Sequence, residues 1–179
     1  MQIIELDKRK YQDYPVSIDY DTDSYYDLIF DGNCIRIQKK AMNHLHHHQG
    51  DVDSEKLFQD WVDKARAFGA FEDDKLIGVI EVGIDYSQRL FVNLLKVEKQ
   101  YRRKGTATAL IKKAKELMYE NNIRSLILEV QSCNVAAIEF YKAQGFKLIG
   151  FDTTCYSNHD LQNKEVRFDL GFINVNYKE

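Results

Sequence analysis

The chain has 179 residues, 44% hydrophobic and 30% charged, with a net charge of −3, which is the make-up of a soluble globular protein with core enough for one domain over residues 1–179. That charge argues against a nucleic-acid partner, the charged residues 1–10 do not read as a secretory leader, and no apolar run is long enough to span a bilayer. Three cysteines, Cys34, Cys133 and Cys155, are odd in number and lack CxxC spacing, so free thiols and a cytoplasmic location are expected.

Charge is uneven along the chain. Asp13, Asp19, Asp21, Asp23, Asp27, Asp31, Asp51, Asp53 and Asp60 crowd the first third, whereas residues 102–124 are basic. The basic part suits a phosphorylated ligand; the acidic part either draws in a cationic amine or forms a solvated face. Residues 11–33 are polar and tyrosine-rich, with 25–30 as their one candidate strand or helix turn.

His44, His46, His47 and His48 invite a metal hypothesis, because imidazole is a common zinc ligand. Adjacent histidines point in different directions, however, and no nearby Cys or carboxylate completes a ligand spacing, so a solvated loop without metal is expected. Asp53-Ser54 is placed to cap a helix carrying Leu57, Phe58, Trp61, Val62, Ala65 and Phe68 at helical spacing, with Trp61 as a core anchor. After Gly69, Ala70-Phe71, the polar turn 72–75 and the run 76–84 read as an antiparallel hairpin. A second turn near 86–88 leads into a strand over Leu90–Val97, apolar except for Asn93 and Lys96, as expected for a strand covered on both faces.

The turn that follows, residues 101–107, sets Arg102, Arg103 and Lys104 against Gly105 and enters a helix whose apolar positions are Ala107, Leu110, Ile111, Ala114, Leu117 and Met118. The first N–H groups of a helix lack intrahelical partners and carry about half a positive charge, so the turn reads as an anion site with room for a diphosphate. Asn121-Asn122 ends the helix. A strand over 125–130 follows, parallel to its predecessor by the crossover rule. Asn134 then caps a helix through Tyr141 to Ala143, with Gly145 as its left-handed stop. Residues 147–152 should pair with a last strand near 165–172 across the polar turn 157–160. Pro15 is the only proline, and no repeat or linker divides the chain.

Arg102-x-x-Gly105-x-Ala107 resembles the acyl-CoA diphosphate loop of the GCN5-related N-acetyltransferases (GNAT). Asn134-x-x-Ala137-x-x-Phe140-Tyr141-x-x-x-Gly145-Phe146 resembles that family's second signature, and the two stand in the expected order. Phe151-Asp152-Thr153-x-x-Tyr156-x-Asn158 is similar to a short piece of its streptothricin acetyltransferase branch. The resemblance implies an α/β (α+β) fold: a mixed sheet with an antiparallel amino-terminal meander, splayed central parallel strands and flanking helices. It implies acetyl transfer from acetyl-CoA to a primary amine, with a small-molecule acceptor, a link to antibiotic resistance, and a homodimer as a candidate assembly. Protein or peptide acetylation and a non-catalytic acyl-CoA sensor stay open.

For the cofactor, the resemblance implies diphosphate contacts from Arg102, Arg103, Lys104, Gly105, Thr106 and Ala107. Leu95 and Val97 would offer backbone groups to the pantetheine arm, with Asn134 and Tyr141 nearby. Tyr141 would be the general acid. Many relatives carry a glutamate on the strand before the diphosphate loop, where this chain has Asn93 and Leu94. Glu129 and Glu81 each interrupt an apolar strand, where a carboxylate is costly to bury unless paired or raised in pKa; Glu129 is the first candidate base and Glu81 the second. A P-loop is the poorer rival, since Gly105-Thr106 lacks the Gly-Lys-Ser/Thr ending that holds magnesium.

Overall fold

The computed structural model describes residues 1–51, 53 and 55–178. In chain order its elements are β1 (Gln2–Glu5), α1 (Lys8–Tyr11), β2 (Tyr20–Asp31), β3 (Cys34–His48), β4 (Arg66–Glu72), β5 (Lys75–Ile84), β6 (Leu90–Val97), α2 (Thr106–Glu120), β7 (Ser125–Gln131), α3 (Val135–Ala143), β8 (Lys147–Asp152), α4 (Asp160–Asn163) and β9 (Arg167–Ile173). The strands are mixed in sense and flanked by helices, as in the GNAT fold. Contacts gather into two units: one of residues 1–18, 50–128 and 172–179, the other of residues 19–49 and 129–171.

In the first unit the strand order is β1-β4-β5-β6-β7. The first three pairings are antiparallel and β6 with β7 is parallel. The hairpin turn between β4 and β5 has Asp73 and Asp74 at φ 48° and 62°, the twist that a two-residue hairpin needs. Five of the six stripe positions of α2 are buried, Leu110, Ile111, Ala114, Leu117 and Met118, with Ala107 half-buried, and the helix packs on β4, β5 and β6. Gly78 makes that approach possible. A Cβ there would lie 3.1 Å from Thr106 Cγ2 and 3.0 Å from the Lys96 carbonyl.

A second cluster of the same unit joins Leu6, Val16, Leu57, Phe58, Ala67, Val79 and Leu94. It overturns the helix expected after Asp53-Ser54. Ser54 itself lies outside the described residues, and 55–65 are turns rather than helix. Long-range partners take the backbone groups a helix would need: Val16 N–H donates to Glu55 O at 2.7 Å, Leu57 N–H to Tyr14 O and Asp13 N–H to Leu57 O, each at 3.0 Å. Phe58 and Lys64 adopt left-handed φ values of 57° and 50°, which an α-helix does not contain. Leu57 and Phe58 are core as expected, but Trp61 is 68% exposed and is not the core anchor expected. Ala67 and Phe68 belong to β4, which starts at Arg66.

The second unit holds the separate two-stranded sheet of β2 and β3 together with the end of β7, then β9 and β8. β2 and β3 pair antiparallel from Tyr20↔His48 to Asp31↔Cys34. The histidine cluster is therefore strand, not the loop expected. β8 and β9 pair antiparallel as anticipated, and the polar stretch between them includes the short α4. Helix α3 packs on β2, where Tyr26 hydroxyl donates to Glu139 and Lys142 Nζ lies 3.0 Å from the same hydroxyl.

Candidate active site

β6 and β7 run side by side only from Leu90↔Leu126 to Val92↔Leu128. Beyond that register β6 continues to Val97 while still paired with β5, Leu95 facing Ile80 and Val97 facing Gly78. Parting parallel strands expose backbone groups that must find other partners. One is already used: Arg102 Nε donates to the Val97 carbonyl at 3.0 Å, which ties the first cation of the turn to the end of β6.

The turn itself owes its shape to two left-handed residues, Arg103 at φ 61° and Gly105 at φ 88°. Gly105 is the N-cap of α2, and a Cβ there would meet nothing within 4 Å. Backbone conformation, not crowding, is thus the reason for glycine. Lys104 Nζ lies 5.4 Å from the Tyr101 ring centroid, within cation–π range. Thr106 is buried against β5, so the helix opening is fixed while Arg103, Lys104 and Gly105 remain exposed. Such a rigid, cationic helix entrance is suited to an anion.

In the second unit Asn134 Oδ1 accepts the Ala137 N–H at 3.2 Å and caps α3. Gly145 closes the helix at φ 86°, with Phe146 N–H returning to the Tyr141 carbonyl at 3.1 Å. Tyr141 is buried, its ring 5.2 Å from Phe140 and 5.6 Å from Phe146. Burial pushes its phenol well above the usual value of 10, so it keeps its proton at neutral pH, as an acid must.

The two candidate bases differ. Glu81 has no exposed surface; it accepts the Phe58 N–H and the Asn93 side-chain amide, both at 2.5 Å. Burial raises its pKa, opposed by those two hydrogen bonds and by Lys8. Asn93, which cannot itself take a proton, thus serves as the donor that holds Glu81. Glu129 keeps 45% of its side chain exposed and lies 3.6 Å from Arg167 Nη1. Desolvation raises its pKa, Arg167 opposes that and Asp169 adds to it.

Many of the amino-terminal aspartates are occupied locally. Asp27 meets Lys40 at 2.6 Å, Asp31 meets Arg36 at 3.0 Å and Asp21 meets His47 at 2.7 Å. A cavity of about 600 Å³ lined by Arg66, Leu90, Leu117 and Arg124 adjoins the far end of α2 from the cationic turn and contains none of the expected site residues. Among the described residues no helix is long and apolar enough to cross a membrane.

The cationic turn opening α2 in the first unit and the capped α3 in the second each carry one of the two signatures, and comparison with known proteins agrees. The Acetyltransferase (GNAT) family matches residues 33–146, more than half of the chain, and the chain belongs to that family. Streptothricin acetyltransferase A of Bacillus subtilis is 35% identical over 98 residues, 55% of this chain and 57% of that protein. N-alpha-acetyltransferase 30 of Xenopus laevis is 32% identical over 83 residues, 44% of this chain and 30% of that protein. The chain therefore spans little more than half the length of the first of these relatives and less of the second. A Bacillus anthracis structure in complex with acetyl coenzyme A shares the fold, with a TM-score of 0.76 over 97% of each chain at 22% identity.

Proposed function

We propose that residues 1–179 work as one cytoplasmic, acetyl-CoA-dependent N-acetyltransferase domain acting on a primary amine of a small molecule. Family membership carries this reading, supported by the longer match to a streptothricin acetyltransferase than to N-alpha-acetyltransferase 30. Arg102, Arg103 and Lys104, with the amides of Gly105, Thr106 and Ala107, hold the cofactor's diphosphate. Leu95, Val97 and Asn134 receive the pantetheine arm; at Val97 the amide is the group on offer, since its carbonyl serves Arg102.

The neutral amine attacks the thioester carbonyl, the tetrahedral oxyanion collapses, and the C–S bond breaks. Tyr141 gives its proton to the departing thiolate, and the attacking nitrogen loses a proton to the base. Glu129 is that base, directly or through water, because part of its surface meets solvent. Glu81, enclosed and with both oxygens engaged, ranks second. If the acceptor is a streptothricin-type amine, acetylation removes the positive charge of that amine and would give resistance.

The test is a thiol-release assay with acetyl-CoA against streptothricin, polyamines and peptide amino termini. Turnover of a small amine supports the proposal; turnover of peptides alone, the reading favoured by the match to N-alpha-acetyltransferase 30, replaces it. No turnover of any amine leaves the acyl-CoA sensor. Tyr141→Phe should cut turnover by about 10² to 10⁴ with acetyl-CoA affinity unchanged, and unaltered turnover would remove the acid role.

A further inference from the structure

We propose that His46, His48 and Glu165 form a binding site for a divalent transition metal of the Zn²⁺ type, separate from acetyl transfer and independent of that reading. His46 and His48 are two apart on β3, and residues at that spacing project from the same face of a strand. His47 projects from the other face, toward Asp21. The carboxylate that the local sequence lacks comes from Glu165, just ahead of β9. One ligand atom from each of the three lies within 4.8 Å of the other two.

Spacing, burial and chemistry agree. His46 Nε2 is enclosed yet makes no hydrogen bond, and Glu165 Oε1 is 3.7 Å from it. Two ligands about 2.1 Å from a tetrahedral zinc stand roughly 3.4 Å apart, so closing on an ion asks for a shift of a few tenths of an ångström at this pair. The third ligand, His48, lies within 4.8 Å of the other two. The His48 ring stacks on Tyr20 with centroids 4.7 Å apart and planes 15° from parallel, and the Tyr20 hydroxyl is anchored on Gln131 and lies 3.3 Å from Cys133 Sγ. Glu165 is positioned by its N–H on the Asp160 carbonyl at 3.0 Å.

Two imidazoles and one carboxylate select zinc and its neighbours over calcium or magnesium, which prefer all-oxygen shells. They leave a fourth tetrahedral position for water or an outside ligand. An ion there would staple β3 to the start of β9 within the second unit.

The experiment uses the full chain stripped with chelator and then titrated with Zn²⁺ by calorimetry, and with Co²⁺ by visible absorption. One equivalent per chain with a tetrahedral cobalt spectrum is expected. Glu165→Gln, nearly isosteric, and His46→Asn should each weaken binding by more than the 10- to 100-fold that losing an outer-shell partner costs. His47→Ala should leave it unchanged, and metal-free melting curves verify that each variant is folded. Absence of micromolar zinc binding overturns the proposal, as does binding that survives Glu165→Gln and His46→Asn but falls with His47→Ala.

Discussion

Glu81 on β5 and Glu129 on β7 are both carboxylates in strands otherwise rich in apolar residues, and both have a pKa pushed upward by desolvation. Their surroundings nonetheless differ. Around Glu81 the partners are two neutral donors, Phe58 N–H and the Asn93 amide, and no solvent reaches it. Around Glu129 the partner is a cation, Arg167, which also meets Asp169 at 3.2 Å, and nearly half the side chain is open. A buried carboxylate satisfied by backbone and amide donors organises structure, whereas an accessible one with a raised pKa is suited to proton transfer.

The largest effect should separate them by rate. Glu129→Gln is expected to lower turnover by about 10² to 10⁴ while Tm stays close to the parent's, because Arg167 retains Asp169; steady-state kinetics with a melting curve checks both. Turnover that instead collapses with Glu81→Gln while Glu129→Gln stays active would reverse the two roles.

Stability gives the next contrast. Glu81→Ala strands the Phe58 N–H and the Asn93 amide without their acceptor, at about 1 to 3 kcal/mol, and denaturant melts should show it. An unchanged midpoint would mean that the 55–65 segment is held by the Leu57 and Phe58 side chains and its contacts to residues 13–16 alone.

pH supplies the smallest and sharpest comparison. A base with a raised pKa must still be ionised, so turnover should fall on acidification through a value above the usual glutamate 4.5 and lose that limb in Glu129→Gln. For Glu81 the sign concerns stability. Its folded pKa lies above the unfolded one, so the protonated form is the one folding favours. That contribution is complete below the unfolded pKa and is lost as pH rises through the folded pKa. Glu81→Gln should flatten this dependence in melts across the acidic range.

These contrasts also explain what could be read from the chain alone. The stretch from β6 to α3 obeys local rules: an apolar strand, a stripe of period 3.6, glycines at left-handed φ, and an asparagine cap. Each can be seen within a dozen residues. Residues 55–65 mimic a helical stripe, but contacts with residues 13–16 and with Glu81 decide their backbone, and no local pattern encodes those partners. Of β2 only residues 25–30 stood out, as a candidate strand or helix turn, because much of that strand is half-buried without alternation; β3 escaped because most of it is exposed, which removes the alternation that marks a half-buried strand. The Glu165 side chain beside His46 and the Asn93 amide on Glu81 are likewise products of tertiary pairing. The four histidines drew a metal hypothesis from the sequence, but that His46 and His48 share a face follows only once a strand is assumed.

Acetyl transfer by this chain requires a thioester cofactor moored by the cationic opening of α2. Calorimetric titration of acetyl-CoA into the folded chain should give one site per chain, and Arg102→Glu with Arg103→Glu should weaken it at least tenfold. No heat with the parent chain, or equal affinity after charge reversal, would contradict it.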